Sequence, residues 1–180
     1  MGVWPQSILN RFATIPAYPR ENDFYAPYNK LLNTLPIHRF TTINPGANRT
    51  YQYQLRGVPV FLLQIKTGSQ LGVVSAREAA DRQMRRRLTD LVDACPLPKF
   101  HGVSAIGTMF CFYLVEDGHI TPSKIVADNP FNTDTAPIGR WDCDVLEDEG
   151  AARLKAVVHE IHQACAQLEP GEHIFFWISS

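Results

Sequence analysis

Residues 58–66 read Val58-Pro-Val-Phe-Leu-Leu-Gln-Ile-Lys66. This nearly continuous apolar run is typical of a central strand that is buried on both faces. The preceding segment, Thr50-Tyr-Gln-Tyr-Gln-Leu55, alternates polar and apolar residues and predicts a half-buried strand. Because only Arg56-Gly57 separates the two segments, we expect them to form an antiparallel hairpin. Residues 58–66 should therefore occupy the middle of a sheet.

Helical patterns flank this strand pair. Residues 75–95 place Ala80, Met84 and Leu88 on one face, and Ser75 with Glu78 forms a capping-box pattern at the start. Further helices are predicted at 23–33, with Asp23 as its cap, and at 147–168. Further strands are predicted at 40–43, at 101–115 (as one strand or two), at 120–127 and at 173–178. The order predicts the α/β class, with a mixed central sheet flanked by helices.

The chain is long enough for one domain with its own core. It has 180 residues, and we expect an irregular, aromatic N-terminal arm at 1–23, which contains three prolines, followed by a single domain at 24–180. Its 17 basic and 18 acidic side chains give a net charge of -1. This balance excludes a nucleic-acid-binding protein driven by overall charge, although a local basic patch stays possible.

The sequence also bears on location and partners. No run of about 18 apolar residues occurs, so we expect no membrane-spanning helix and no membrane partner. The four cysteines are widely spaced and form no Cys-x-x-Cys pattern, which predicts mostly buried free thiols in a reducing compartment. We therefore expect an intracellular protein of the cytoplasm or nucleus.

The candidate site lies at the end of the central strand. Gln64 and Lys66 are two residues apart, so their side chains are expected on the same face of the sheet. A lysine that emerges from a buried strand is costly unless it has a partner. Gln83 lies on a flank of the helix at 75–95 and is the third candidate, with a solvated helix flank as the alternative.

Four stretches carry a resemblance to a known family: Tyr25-Ala-Pro-Tyr-Asn-Lys-Leu-Leu-Asn33, Pro59-Val-Phe-Leu-Leu-Gln-Ile-Lys66, Arg82-Gln-Met-Arg-Arg-Arg87 and Cys95-Pro-Leu-Pro-Lys-Phe-His-Gly-Val-Ser-Ala-Ile-Gly107. Over about residues 25–165 the chain resembles the PD-(D/E)XK, or restriction-endonuclease-like, superfamily. It is most similar to uncharacterised proteins of mushroom-forming fungi. The resemblance implies an α-β-β-β-α-β core with an Asp/Glu-x-Lys motif at residues 64–66. In such nucleases the carboxylate holds Mg²⁺, the lysine orients or activates the attacking water, and an Asp on the preceding strand completes the metal site.

This chain departs from that pattern. It reads Gln64-Ile-Lys66 where the relatives usually read Glu-Ile-Lys, and its strand at 50–55 contains no Asp or Glu. Amide groups are poorer ligands than carboxylates for hard divalent cations. We therefore expect metal-dependent cleavage to be lost or weak, with no cofactor. Mg²⁺ is expected only if an acidic residue from elsewhere completes the site, and Asp81, Glu78 and Asp23 are the candidates.

Two surface features bear on partners. The region Arg82–Arg87 is basic, and Arg82, Arg85 and Arg86 are candidates for contacting the phosphates of a nucleic acid. The alternative is a solvated helix face on which these arginines pair with nearby acids. Six aromatic residues among the first 28 predict core packing, a small apolar ligand site or a homodimer contact.

The sequence is compatible with three functions. The first is a non-catalytic or weakly active nuclease descendant that serves as a nucleic-acid- or protein-binding module. The second is a small-molecule-binding protein or enzyme that reuses the old cleft around Lys66. The third is a metal-dependent nuclease with a rebuilt acidic site. Salt-sensitive nucleic-acid binding favours the first and third, and metal-dependent cleavage supports the third alone. A ligand that raises the melting temperature without metal favours the second.

Overall fold

The central strand of the sequence lies in the middle of a mixed sheet, in a computed structural model that describes residues 3–36, 40–43, 50–55, 57–127 and 133–168. Within these residues the strands are β1 (Phe40–Ile43), β2 (Thr50–Leu55), β3 (Val58–Lys66), β4 (Lys99–Ile106), β5 (Met109–Glu116), β6 (His119–Thr121) and β7 (Cys143–Asp144). The α-helices are α1 (Gln6–Ala13), α2 (Glu21–Leu32), α3 (Val74–Leu91) and α4 (Asp148–Leu168).

The sheet keeps the order of the sequence. Strands β1 to β6 lie side by side, and β7 pairs with the start of β5. The first three strands are antiparallel, so the predicted hairpin of β2 and β3 is confirmed. Helix α3 then connects β3 to β4, which run parallel, and β5 and β6 return as antiparallel strands. The predicted α/β class, with a mixed sheet flanked by helices, is confirmed.

Helices cover both faces of the sheet. The alternation along β3 sends Leu63 and Ile65 into a core shared with α1, α2 and α4. The intervening Leu62 packs into a second core with Ala80 and Met84 of α3. The face that carries Leu62 also carries Gln64 and Lys66, so α3 is the helix that lies over the candidate site.

Two glycines permit close approaches around this site. A Cβ atom at Gly102 of β4 would lie 2.9 Å from the Sδ atom of Met84, so the missing side chain lets α3 pack tightly on the sheet. Gly107 joins β4 to β5 with a φ of +66°, which favours glycine. A Cβ atom there would lie 2.9 Å from the Cα atom of Gly68, which follows β3.

The predicted capping box of α3 is wrong. The helix begins at Val74 after an N-cap at Val73, and no side chain caps it. Glu78 instead accepts hydrogen bonds from the backbone nitrogen and the hydroxyl of Thr135, at 3.1 and 2.8 Å. Glu78 therefore binds Thr135, which is distant in sequence, and not the backbone at the start of α3. The helix ends at Leu91, and a short 3-10 helix at Val92–Ala94 completes the predicted span.

The expectation of an irregular segment at 1–23 is wrong for Gln6–Ala13, which form α1. Ile8 and Phe12 are buried one turn apart, and Trp4 donates a hydrogen bond from Nε1 to the Val145 carbonyl at 2.7 Å. Proline spacing favoured an irregular arm, but Pro5 stands at the N-cap of α1 and does not interrupt it. The segment is therefore part of the core.

Other predicted elements differ mainly at their ends. Helix α2 begins two residues earlier than expected, and Asp23 accepts a hydrogen bond from the Arg20 nitrogen at 2.7 Å from within the helix. The strand predicted at 120–127 ends at Thr121, where Pro122 follows without an N–H for the sheet. The strand predicted at 173–178 lies outside the described residues.

The described helices and the four cysteines bear on two further predictions. None of the described helices combines the length and apolar character that crossing a bilayer requires. All four cysteines are free thiols, and all except the half-buried Cys95 are buried, as the sequence predicts.

Candidate functional site

The end of β3 brings two of the predicted site residues to one face of the sheet. Gln64 and Lys66 both face α3, because side chains two residues apart in a strand share a face. Gln64 is fully buried and Lys66 is half-buried. The two side chains therefore form a polar end to a strand that is otherwise apolar in its interior.

Helix α3 adds the third predicted residue. The amide of Gln64 donates from Nε2 to Oε1 of Gln83 at 2.5 Å. The Oε1 atom of Gln64 is buried and has no hydrogen-bond partner in the described part of the chain. The structure thus brings Gln64 and Gln83 together on the face of the sheet that also carries Lys66, and the buried Oε1 atom of Gln64 is open to a donor.

Strand β2 contributes Thr50, which the sequence did not single out. Thr50 is fully buried and lies directly opposite Gln64 in the antiparallel register. Its hydroxyl accepts a hydrogen bond from Nη1 of Arg87, one turn beyond Gln83 on α3. A hydroxyl and an amide therefore stand at the facing positions of β2 and β3, with a guanidinium beside them. Only the strand register, which the sequence alone does not reveal, could have identified Thr50.

Helix α2 brings a carboxylate toward this end of the sheet. Burial lowers the pKa of Lys66, the carboxylate of Glu21 raises it, and Arg87 lowers it, with a net lowering. Glu21 accepts a hydrogen bond from the Tyr25 hydroxyl. The Thr67 hydroxyl also donates to the Pro19 carbonyl at 2.9 Å, which ties the start of α2 to the end of β3. Glu21 was not among the expected acids, because no residue pattern predicts that α2 begins beside the end of β3.

The three acids that the sequence offered as substitutes have other partners. Asp81 accepts hydrogen bonds from Arg85 at 2.8 Å and from Arg140 at 2.6 Å on the opposite flank of α3. Glu78 binds Thr135, and Asp23 binds the backbone at the start of α2. The expectation that one of these three completes the site finds no support in these contacts.

The predicted phosphate-contacting arginines divide into two kinds. Arg85 is largely buried: besides Asp81 it binds the Pro122 carbonyl at 2.7 Å, and its guanidinium lies 5.5 Å from the centre of the Tyr113 ring. Arg82 is exposed, and Arg86 is exposed with Asp90 at 3.7 Å. Only Arg82 and Arg86 therefore present guanidinium groups to solvent on the outer side of α3.

The aromatic N-terminus is largely core. Of its six aromatic residues, Tyr18 is 94% exposed and the other five are buried. Packing, the simplest of the three expectations, accounts for the buried rings.

No group of three or more His, Cys, Asp and Glu side chains is arranged to hold a metal ion in the described residues. Comparison with protein-family models, curated proteins and solved structures gives no match for this chain.

Proposed function

We propose that this protein is a non-catalytic or weakly active descendant of a PD-(D/E)XK nuclease that binds nucleic acid at the end of β3. The observation that carries the proposal is the chemistry of the facing pair Thr50 and Gln64. These two positions lie where paired strands of such a nuclease would present carboxylates, and here both side chains are uncharged. The order from α2 to β4 is helix, three strands, helix and strand, which agrees with the resemblance stated above.

The charges at the site favour an anion over a divalent cation. Lys66 and Arg87 supply two positive charges, and Glu21 is the acid that influences Lys66. Hard cations need several anionic or carbonyl oxygens, whereas a phosphate is bound by ammonium and guanidinium groups. A backbone phosphate of DNA or RNA would therefore occupy the place that the metal held in an active ancestor. Arg82 and Arg86 would extend the contact along the exposed face of α3.

Binding can be tested with fluorescein-labelled single- and double-stranded oligonucleotides by fluorescence anisotropy at two salt concentrations. We expect salt-sensitive binding that Lys66→Met weakens by about ten- to a hundredfold, because a lost charged hydrogen bond costs about 1.5–3 kcal/mol. Arg82→Met with Arg86→Met should reduce both affinity and salt dependence. Asp93→Asn, an exposed substitution on the same segment, is the control. No binding by the wild type at low salt would refute the proposal.

The proposed descent has its own test in the double variant Thr50→Asp with Gln64→Glu. The two carboxylates would restore a pair of oxygen ligands on adjacent strands, so we expect this variant to bind one Mn²⁺ ion. Its melting temperature should fall without metal and recover with it, because metal binding stabilises the folded state. Mn²⁺ titration followed by electron paramagnetic resonance measures the stoichiometry. A variant that folds and binds no Mn²⁺ would contradict the descent.

A live nuclease with a rebuilt site is the second candidate, and the proximity of Glu21 to Lys66 favours it. A plasmid cleavage assay with Mg²⁺ or Mn²⁺ separates the two candidates. Cleavage that both Glu21→Gln and Lys66→Ala abolish would show that Glu21 supplies the missing carboxylate. An intracellular location accompanies either candidate as a prediction from the free thiols.

A further inference from the structure

Strand β5 has a gap in the pairing of its outer edge. Strand β7 pairs with Met109 and Phe110, and β6 pairs with residues 114–116. Residues 111–113 have no strand on this edge among the residues that the structure describes. Backbone groups at such an edge need a partner from water or from a ligand.

The register shows which backbone groups face the gap. The turn between β5 and β6 has two residues, Asp117 and Gly118, so the flanking Glu116 and His119 form a hydrogen-bonded pair. Every second residue of β5 then directs its N–H and C=O toward this outer edge. Phe112 is in that series, and its amide and carbonyl therefore point into the gap.

A groove of about 660 Å³ lies over the gap. This volume is in the range of small-molecule sites, about 300–1,000 Å³. Its wall is mainly apolar, with contributions from both faces of β5, the start of α4 and the loop after β6. The lining includes Phe112, Leu114, Pro122, Ala156 and Val157. Because β6 and β7 close the two ends of the gap, the groove suits a compact ligand and not a long added strand.

Charged groups stand at the rim of the groove. Arg140 and Arg153 outnumber Asp142 among the lining residues, and burial lowers the pKa of the nearby His101, which keeps that imidazole neutral near pH 7. Arg140 binds the Ser123 carbonyl and Asp81. Arg153 donates from Nη1 to Asp142 at 2.8 Å, and its guanidinium lies 4.7 Å from the centre of the Phe112 ring. Its side chain is 37% exposed.

We infer that this groove binds a compact carboxylate with an aromatic or aliphatic body. The carboxylate pairs with Arg153, the body packs among Phe112, Leu114 and Val157, and a polar atom of the ligand bonds to the Phe112 backbone. The charge of the rim selects an anion, and the closed ends of the gap limit its length. This site is separate from the end of β3 and does not depend on the proposed function.

The test uses the full-length chain with 4-phenylbutanoate and its uncharged analogue, 4-phenylbutanamide, followed by two-dimensional nitrogen–proton NMR. We expect one molecule of the carboxylate to bind and to shift the amide resonance of Phe112. The amide analogue should bind about tenfold more weakly, since a charged partner roughly doubles the strength of such hydrogen bonds. Arg153→Met should weaken carboxylate binding by a similar factor, and Arg11→Met, at an exposed arginine of α1 outside the groove, should leave it unchanged.

Ala156→Phe places a ring in the groove from an exposed position on α4 and should abolish binding without unfolding the chain. Its melting temperature verifies that it is folded, and Arg153→Met provides an independent result if it is not. Three results would overturn the inference: no shift of the Phe112 amide with millimolar carboxylate, equal affinity for the two analogues, or unchanged binding in folded Ala156→Phe.

Discussion

Asp81 pairs with two largely buried arginines. Its carboxylate accepts hydrogen bonds from Arg85, from Arg140 and, at 2.9 Å, from the Tyr113 hydroxyl. The side chains of Asp81 and Arg140 are 9% and 7% exposed. Two guanidinium groups that are packed against one carboxylate in this way depend on its charge, because water cannot replace it.

We therefore predict that Asp81→Asn lowers the free energy of unfolding by about 3–5 kcal/mol, the usual cost of breaking a buried ion pair. Urea denaturation measures the change. Asp90→Asn is the matched control, because Asp90 and Arg86 are 62% and 82% exposed. It should cost less than about 1 kcal/mol, as exposed pairs do. Equal effects of the two substitutions would show that the Asp81 cluster contributes no special stability.

His101 makes stability depend on pH. It is 6% exposed, and its Nε2 atom lies 3.3 Å from Oε2 of Glu160. Burial lowers the pKa of His101, although Glu160 raises it in part. The unfolded chain therefore binds a proton at a higher pH than the folded chain does, and acidification favours unfolding.

The free energy of unfolding should consequently decrease as the pH falls below about 6.5, the ordinary histidine value, and level off below the folded pKa of His101. The lowered pKa of Glu160 adds a separate loss that begins only at more acidic pH. His101→Gln keeps a neutral polar group and should flatten the first decline. Urea denaturation at pH 7.5 and 5.5 provides the comparison, and the same slope in both proteins would assign the effect to other groups.

Helix α3 makes contacts along two of its flanks, and its third side is exposed to solvent. One flank presents Gln83 and Arg87 to the candidate site. The other holds the segment after β6, where Arg77 binds the Ala136 carbonyl at 2.8 Å and Arg85 binds the Pro122 carbonyl. Part of the basic region Arg82–Arg87 therefore holds the loop that follows β6, through Arg85. Charge patterning alone could not separate Arg85 from Arg86, because the separation depends on a partner far away in sequence.

The start of α4 packs directly on β7. A Cβ atom at Gly150 would lie 2.0 Å from the Asp144 carbonyl oxygen, a backbone atom that cannot rotate away. In an unhindered helix, replacing Gly with Ala raises the free energy of unfolding by about 1 kcal/mol. Here we predict that Gly150→Ala instead destabilises the protein by about 3 kcal/mol or more, because overpacking forces the two elements apart.

Thermal and urea denaturation measure this effect. The control is Gly72→Ala, where no atom lies within 4 Å of the added carbon. That variant should be neutral or slightly stabilised. A neutral result for Gly150→Ala would mean that α4 can move away from β7 at little cost.

At the scale of the whole molecule, the N-terminal segment is part of the structure that supports the sheet. Trp4 is 4% exposed, bonds to Val145 and lies under the ammonium of Lys155, which is 4.5 Å from the ring centre. These contacts join the N-terminal segment to α4 and to Val145, which lies just before that helix.

We predict that Trp4→Ala lowers the free energy of unfolding by about 3–5 kcal/mol, as for other buried large-to-small substitutions. Tyr18→Ala, at the exposed aromatic of the same segment, should change it by less than about 0.5 kcal/mol. Thermal or urea denaturation of both variants tests whether the segment acts through its buried side chains. A loss of stability in Tyr18→Ala but not in Trp4→Ala would contradict this interpretation.

The sequence by itself determined the elements whose patterns are local. The apolar run of β3, the alternation of β2 and the periodicity of α3 and α4 follow from which side chains must leave water, so composition and spacing predict them. The same spacing placed Gln64 and Lys66 on one face. The sequence left open whether residues 101–115 form one strand or two, and the structure divides them into β4 and β5 at Gly107, whose φ is positive.

Only the tertiary structure decided which distant groups meet. Thr50 faces Gln64 because of the strand register, and Glu21 lies near Lys66 because α2 begins beside the end of β3. Arg85 is largely buried because it contacts the Pro122 carbonyl and the Tyr113 ring. Two predictions from local pattern were wrong: the capping box at Ser75 and the irregular segment where α1 forms. In both places contacts with residues distant in sequence outweighed the capping and proline signals. Those contacts depend on burial and on partners that approach in space, and neither is encoded in the spacing of neighbouring residues.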